Sequence, residues 1–261
     1  MMELKELTNK VCEVARMAGA YLREERLRFD ESVVEQKHAH DYVSYVDKSS
    51  EAMIVRALKE LLPEAGFLTE EGLAGRDEED CWWVIDPLDG TTNYVHGNTP
   101  YAVSIALRNA NEVMLGVVYE VAADECFYAW QGGGAYLNGA PISVNRTHSI
   151  EQALLGLELP YDANAYAEMW RRLIGHFYGY AGGVRMNGSA AVALCMVACG
   201  RWDGWIERFI GQWDYMAGML IVREAGGIVT NFAGSEQCLN GDDIVASNGI
   251  IQQDLLSQTS L

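Results

Sequence analysis

The chain has 261 residues, 49% hydrophobic and 21% charged, an ordinary soluble composition with enough length for one large or two modest domains. Its 37 acidic and 19 basic side chains give a formal charge of −18, the wrong sign for a general nucleic-acid binder, whose affinity rests on phosphate neutralisation. The opening MMELKELTNK lacks the basic start and apolar run of a signal peptide, and no stretch is apolar for the length of a membrane span; a cytoplasmic protein is expected.

Leu4, Leu7, Val11, Ala15, Ala18 and Leu22 recur at helical spacing and predict an amphipathic helix over about residues 3–27. A second helix is predicted over 47–61, with Asp47, Ser50 and Glu51 as its start signal and Pro63 just past its end. GFLTEE reads as a short strand with a polar end, GLAGRDEED as a solvated loop, and CWWVID as a buried strand. YAVSIALRN, EVMLGVVYE and ECFYAWQ are β-prone runs separated by short polar turns, the pattern of an antiparallel meander. GGGAYLNGAPISV continues in β and turns to about residue 145.

Beyond this the texture changes. ALLGLEL is strand-like, 162–177 helical, SAAVALCMVACG a helix of small and apolar residues, WDGWIE a short strand, WDYMAGMLIVREAGG a helix and DIVASN a strand. Such alternation predicts an α/β second half, so the chain divides into halves 1–147 and 148–261 at a soft boundary within one compact unit. The six cysteines form no CxxC pair, and Cys195 and Cys199 read as buried thiols in a helix rather than as metal ligands.

The segment IDPLDGTTN, residues 85–93, sets two aspartates three apart at the end of the CWWVID strand. Proline and glycine suit a corner, but a corner needs no pair of carboxylates. If a helix starts near Thr91, the amides of Gly90, Thr91 and Thr92 make an anion site suited to phosphate. The stretch thus offers cation ligands and anion donors together, as a phosphate bridged to protein by divalent metal requires. Glu70 and Glu71 end LTEE, and Asp214 opens the helix after Trp213. Taken alone, Asp214 reads equally as a helix cap or a ligand, and the glutamate pair as routine surface charge.

The set LTEE, DPLDGTTNYVHG and WDYMAGMLIVREAGG, in that order, resembles the inositol monophosphatase family of metal-dependent phosphatases, from Asp41 to about Gly227. The resemblance implies a layered αβαβα sandwich of the sugar phosphatase type, usually a homodimer, with two or three Mg²⁺ ions. By similarity Glu70, Asp86, the Leu88 carbonyl, Asp89 and Asp214 would be metal ligands. Thr91 would orient the attacking water, with Glu70 and with Asp47 of DYVSYVD near the water-activating end. Gly90, Thr91 and Thr92 would meet the phosphate, and Gly188, Ser189, Ala190 and Glu207 the hydroxyl-bearing part of the substrate. Ser44 and Met216 depart from the usual pattern in ways expected to change packing more than chemistry, and Thr69, where glycine is frequent, is expected to cost no metal binding. Glu71 is expected to support Glu70, and His96 to be structural or rim-lining. Lys37, His38 and His40 are expected in a solvated loop.

All-oxygen donors favour Mg²⁺. The implied activity is hydrolysis of a phosphate monoester of inositol or a similar polyol by a metal-activated water, attacking in line without a phosphoenzyme, since no nucleophile motif accompanies the carboxylates. The alternatives are a fructose-1,6-bisphosphatase, a nucleotide 3′-phosphatase (against which Thr92 and Asn93 follow DGT where lysine and glutamate are usual), a phosphatase of an inositol-phosphate lipid head group, and a non-catalytic partner-binding protein.

Overall fold

The computed structural model describes residues 3–29, 35–38, 41–43, 45–72, 80–158, 163–241 and 243–259. Two long helices come first, α1 (Leu4–Arg26) and α2 (Tyr45–Leu61), separated by a two-stranded ribbon of β1 (Glu35–His38) and β2 (Asp41–Val43). A seven-stranded sheet follows in sequence order: β3 (Gly66–Thr69), β4 (Cys81–Asp89), β5 (Ala102–Asn109), β6 (Val113–Glu120), β7 (Glu125–Trp130), β8 (Ala135–Leu137) and β9 (Ala140–Ile142). Among the described strands β3 and β4 pair in parallel; the rest is the antiparallel meander that the β-prone runs and their short polar turns predict. The short helix α3 (Thr91–Val95) lies between β4 and β5.

The second sheet has five strands, in the order β11 (Gly183–Arg185), β10 (Leu154–Leu157), β12 (Gly204–Arg208), β14 (Asp243–Ser247), β13 (Ile228–Thr230). The β11–β10–β12 side is parallel, whereas β14 runs antiparallel to both of its neighbours, so the sheet is mixed. Its helices are α4 (Ala163–Phe177), α5 (Ala190–Ala198), α6 (Gln212–Glu224) and α7 (Gln252–Thr259).

Side-chain alternation sorts these elements into five layers. Trp83, Ile85, Val103, Ile105 and Val117 of the large sheet pack with Val11, Ala18 and Leu22 of α1 and Ile54 and Leu58 of α2. The opposite face, through Val84, Ala106 and Val118, meets α5 and α6, which also cover Trp205 and Ala246 of the small sheet. Leu155, Leu157, Ile206 and Val245 turn outward to Trp170 and Leu173 of α4 and Leu255 of α7. The result is the αβαβα sandwich. Helix α6 seats very closely on the large sheet: a Cβ at Gly116 of β6 would lie 2.6 Å from the Ala217 carbonyl oxygen.

Three local expectations need correction. Helix α2 starts at Tyr45, two residues earlier than expected, with Asp47 in its first turn; Asp47, Ser50 and Glu51 are in addition three buried polar groups at helical spacing within it. Strand β4 does not end at Asp86 either; it continues through Pro87 to Asp89, with the register against β5 shifting between Asp86 and Asp89. Lys37 and His38, expected in a loop, lie in strand β1, while His40, Ser44 and residues 73–79 lie outside the described residues.

Candidate active site

The bulge in β4 explains how two aspartates three apart serve one site. In an unbroken strand, odd spacing sends side chains to opposite faces. Val84 faces the middle helices, so Asp86 does too, whereas Leu88 packs in the core beneath α1 and α2. The extra residue reverses the alternation and returns Asp89 to the face of Asp86. Pro87 fits there because a bulge residue needs no ladder N–H. Helix α6 brings Asp214 to the same place, and the three carboxylates offer oxygens all within 4.8 Å of one another.

Each of these aspartates has one oxygen held by a backbone N–H. Leu88 N donates to Asp86 Oδ1 at 2.9 Å, Ala191 N to Asp89 Oδ2 at 2.9 Å and Gly211 N to Asp214 Oδ2 at 2.5 Å. The last bond shows that Asp214 caps its helix and joins the carboxylate group at once. Burial, followed by mutual repulsion with Glu70, Asp89 and Asp214, lifts the Asp86 carboxyl well above the usual range. Burial likewise lifts Asp214 well above it, with Asp89 and Glu70 adding to the shift. Burial pushes Asp89 up to about 6, against the lowering effect of its bonds to Ser189 and α5 amides. Such converged, desolvated carboxylates resist ionising together unless a cation joins them.

Every residue expected at the site except Asp47 lines one cavity of about 690 Å³. Glu70 lines it outside the compact trio of aspartates. Gly90 adopts a left-handed conformation (φ 88°), and a Cβ there would lie 2.9 Å from the Pro100 carbonyl oxygen and 3.2 Å from that of Gly188. Only glycine meets both demands. It leads into α3, whose first amides, Thr91 and Thr92 among them, have no intrahelical acceptor and border the cavity.

Behind the cavity wall, the buried polar groups of α2 support its loops. The Thr91 hydroxyl lies 2.9 Å from the Leu88 carbonyl oxygen and 3.3 Å from Asp47 Oδ1. Ser50 Oγ donates to the Pro87 carbonyl at 3.1 Å, and Glu51 Oε2 accepts the Glu71 N–H at 2.8 Å. His96 is exposed and does not line the cavity.

At the far end, Gly188, Ser189 and Ala190 open α5, and Ser189 is its N-cap. Glu207 stands on the middle-facing side of β12, with Oε2 buried and without a hydrogen-bond partner among the described residues. Beside it is a residue that the sequence reading missed. Glu158 follows β10, its N–H bonds to the Ile206 carbonyl at 3.3 Å, and strand register sets it next to Glu207. It is buried, and its Oε1 accepts the Asn187 and Gly188 amides at 2.7 and 3.1 Å. Burial, then the neighbouring Glu158 charge, raises the Glu207 carboxyl well above its usual range.

An all-oxygen set of crowded carboxylates with a nearby carbonyl suits a hard divalent cation, and the aspartate trio could hold one. This geometry agrees with the comparisons with known proteins. The profile of the inositol monophosphatase family matches residues 3–260. The chain belongs to that family. It is 38% identical over 244 residues to the Nus factor SuhB of Vibrio cholerae, covering 93% of this chain and 91% of that one. An inositol-1-monophosphatase of Mesorhizobium japonicum is 36% identical over 251 residues, covering 96% and 94% of the two chains. Among solved structures, the extragenic suppressor protein suhB of Bartonella henselae superposes with a TM-score of 0.90 at 33% identity, over 97% of each chain.

Proposed function

We propose that the protein is a Mg²⁺-dependent phosphatase acting on a phosphate monoester of inositol or a similar polyol. The observation that carries this reading is the convergence of Asp86, Asp89 and Asp214, each with one oxygen already fixed by an amide, at the wall of a cavity large enough for a sugar phosphate. In this reading Asp86, Asp89, Asp214, Glu70 and the Leu88 carbonyl hold the cations, of which the family resemblance implies two or three. When bound, Mg²⁺ lowers the pKa of water, neutralises phosphate oxygens and stabilises the leaving alkoxide.

The chain's own groups do the rest. The amides of Gly90, Thr91 and Thr92 orient the phosphate, and the Thr91 hydroxyl orients the attacking water, passing its own proton to Asp47 Oδ1 as it receives one from the water. Glu207 accepts from a leaving-group hydroxyl, which supplies the partner its buried Oε2 lacks. We carry over from the resemblance that the active form is a homodimer.

The test is phosphate release from myo-inositol 1-phosphate, fructose 1,6-bisphosphate and adenosine 3′,5′-bisphosphate, with and without Mg²⁺, for wild type and Asp89→Asn. Mg²⁺-dependent release led by the inositol ester and lost in the variant is the expected result. Metal-independent release, or release unchanged in the variant, would sink the assignment. The name Nus factor, carried by the Vibrio relative and others, favours a second reading as a partner-binding protein of the transcription machinery. That reading gains if no ester is cleaved while the protein is retained by purified transcription complexes.

A further inference from the structure

Ser189 is expected by resemblance to meet the substrate and lines the cavity, while its hydroxyl makes its bonds within the protein. It donates its one proton to Asp89 Oδ2, and its oxygen accepts the Val192 N–H at 3.3 Å as the cap of α5. The Ala191 amide reaches the same Asp89 oxygen at 2.9 Å. One edge of the carboxylate is therefore clamped by the first turn of a helix from the other half of the chain, a hundred residues away in sequence.

The clamp is itself held. Ser189 N donates to Asn187 Oδ1 at 3.1 Å, and the Asn187 carbonyl accepts Asn93 Nδ2 at 2.7 Å. The amides of Asn187 and Gly188 go to Glu158. Gly188 has φ +73°, and a Cβ there would come within 3.1 Å of Asn93. Ser189 is 1% exposed, so water does not compete for its proton.

We infer that Ser189 is a positioning residue for the metal site: with the Ala191 amide it fixes one oxygen of Asp89, leaving the carboxylate a single orientation in which to meet a divalent cation. The inference rests on the reading of Asp89 as a metal ligand. Groups that orient a ligand in this way are commonly worth a ten- to hundred-fold change in metal affinity.

The experiment is direct Mn²⁺ binding without substrate, by calorimetry or by loss of the free-ion spin resonance signal, on the full chain as wild type, Ser189→Gly and Ser189→Thr. Glycine is tolerated as an N-cap, so Ser189→Gly keeps α5 and removes the proton donated to Asp89; threonine keeps both. The expected result is Mn²⁺ affinity about ten-fold weaker in Ser189→Gly, recovered in Ser189→Thr, with closely similar metal-free melting temperatures. Equal affinity in wild type and Ser189→Gly would overturn the inference. So would unchanged Mn²⁺ affinity with a raised KM for the phosphate ester, the mark of a substrate contact. A wild type that binds no Mn²⁺ would remove the metal-ligand reading of Asp89 and this inference with it.

Discussion

At one end of the cavity, three aspartates each have an oxygen tied to a backbone N–H before any ligand arrives. At the other end, Glu158 is tied to two amides, but its neighbour Glu207 keeps a buried oxygen with no partner among the described residues. The two ends hold similar carboxylates under different constraint. In the proposed reading, the aspartate end would offer a small hard ion ligands already oriented, as geometric precision in phosphate chemistry requires. The glutamate end would offer a desolvated acceptor to a donor on the leaving group, and so act on selection more than on rate.

The sharpest way to break this contrast is Asp89→Asn. The amide oxygen can still accept from Ser189 and Ala191, so the fold should persist. Turnover should fall on the order of a thousand-fold, the scale of a lost electrostatic partner at a reacting centre. Because a buried charge disappears, the metal-free protein should also melt at a higher temperature than wild type. Turnover within a few-fold of wild type at saturating Mg²⁺ would take Asp89 out of the chemistry. Next comes Thr91→Val, which removes the hydroxyl between Asp47 and the Leu88 carbonyl and should cost about a hundred-fold in kcat. The Mn²⁺ affinity of this variant should stay close to wild type; a parallel loss of metal binding would assign Thr91 to the metal site instead.

A third prediction concerns pH. Asp89 binds its proton more firmly in the folded metal-free chain than in the unfolded one, because its folded pKa is raised to about 6 from an ordinary 3.8. Its contribution to stability is therefore complete below the ordinary value and lost as pH rises through about 6, and Asp86 and Asp214 act in the same direction. Mg²⁺ should thus raise the melting temperature more at about pH 7.5 than at about pH 5. An upshift that shrinks as pH rises would contradict the electrostatic account. The smallest effect is expected from Glu207→Gln, a few-fold rise in KM for a polyol phosphate with kcat nearly unchanged. A fall in kcat as deep as that of Asp89→Asn would erase the distinction between the two ends.

Much of the architecture could be read from local pattern. Helix α1 carries a clean helical period over many residues, and the β5–β6–β7 meander shows as apolar, β-prone runs parted by short polar turns; the structure reproduces both. The three-residue strands β11 and β13 are too short to carry a period, and only their partners β10 and β14 make them strands. Pro87 argued for a strand end because a central strand cannot spare an N–H; a bulge removes that need and is invisible without the facing strand. Asp47, Ser50 and Glu51 marked the start of α2 to within two residues, but not that all three are buried. Polar groups at a helix start can be exposed or can support loops packed on them, and the sequence alone does not tell these apart. The DPLDG aspartates, by contrast, stood out because no turn needs both. Glu158 was missed because one glutamate at the end of an apolar run, ALLGLEL, carries no signal until β12 sets Glu207 beside it.

Gly116 lines no part of the cavity, yet it governs how near α6 can lie to the sheet that carries Asp86 and Asp89. Ala217, the residue it admits, is less than one helical turn beyond Asp214. Metal–ligand distances tolerate errors of only about 0.2 Å, much less than the displacement a methyl group at position 116 would force on the helix. If the aspartate trio binds a divalent ion as proposed, it would work as a gauge of interior packing: ion affinity would report how faithfully two distant stretches of chain have seated, and a defect in the hydrophobic interior would register first as a loss of cation binding.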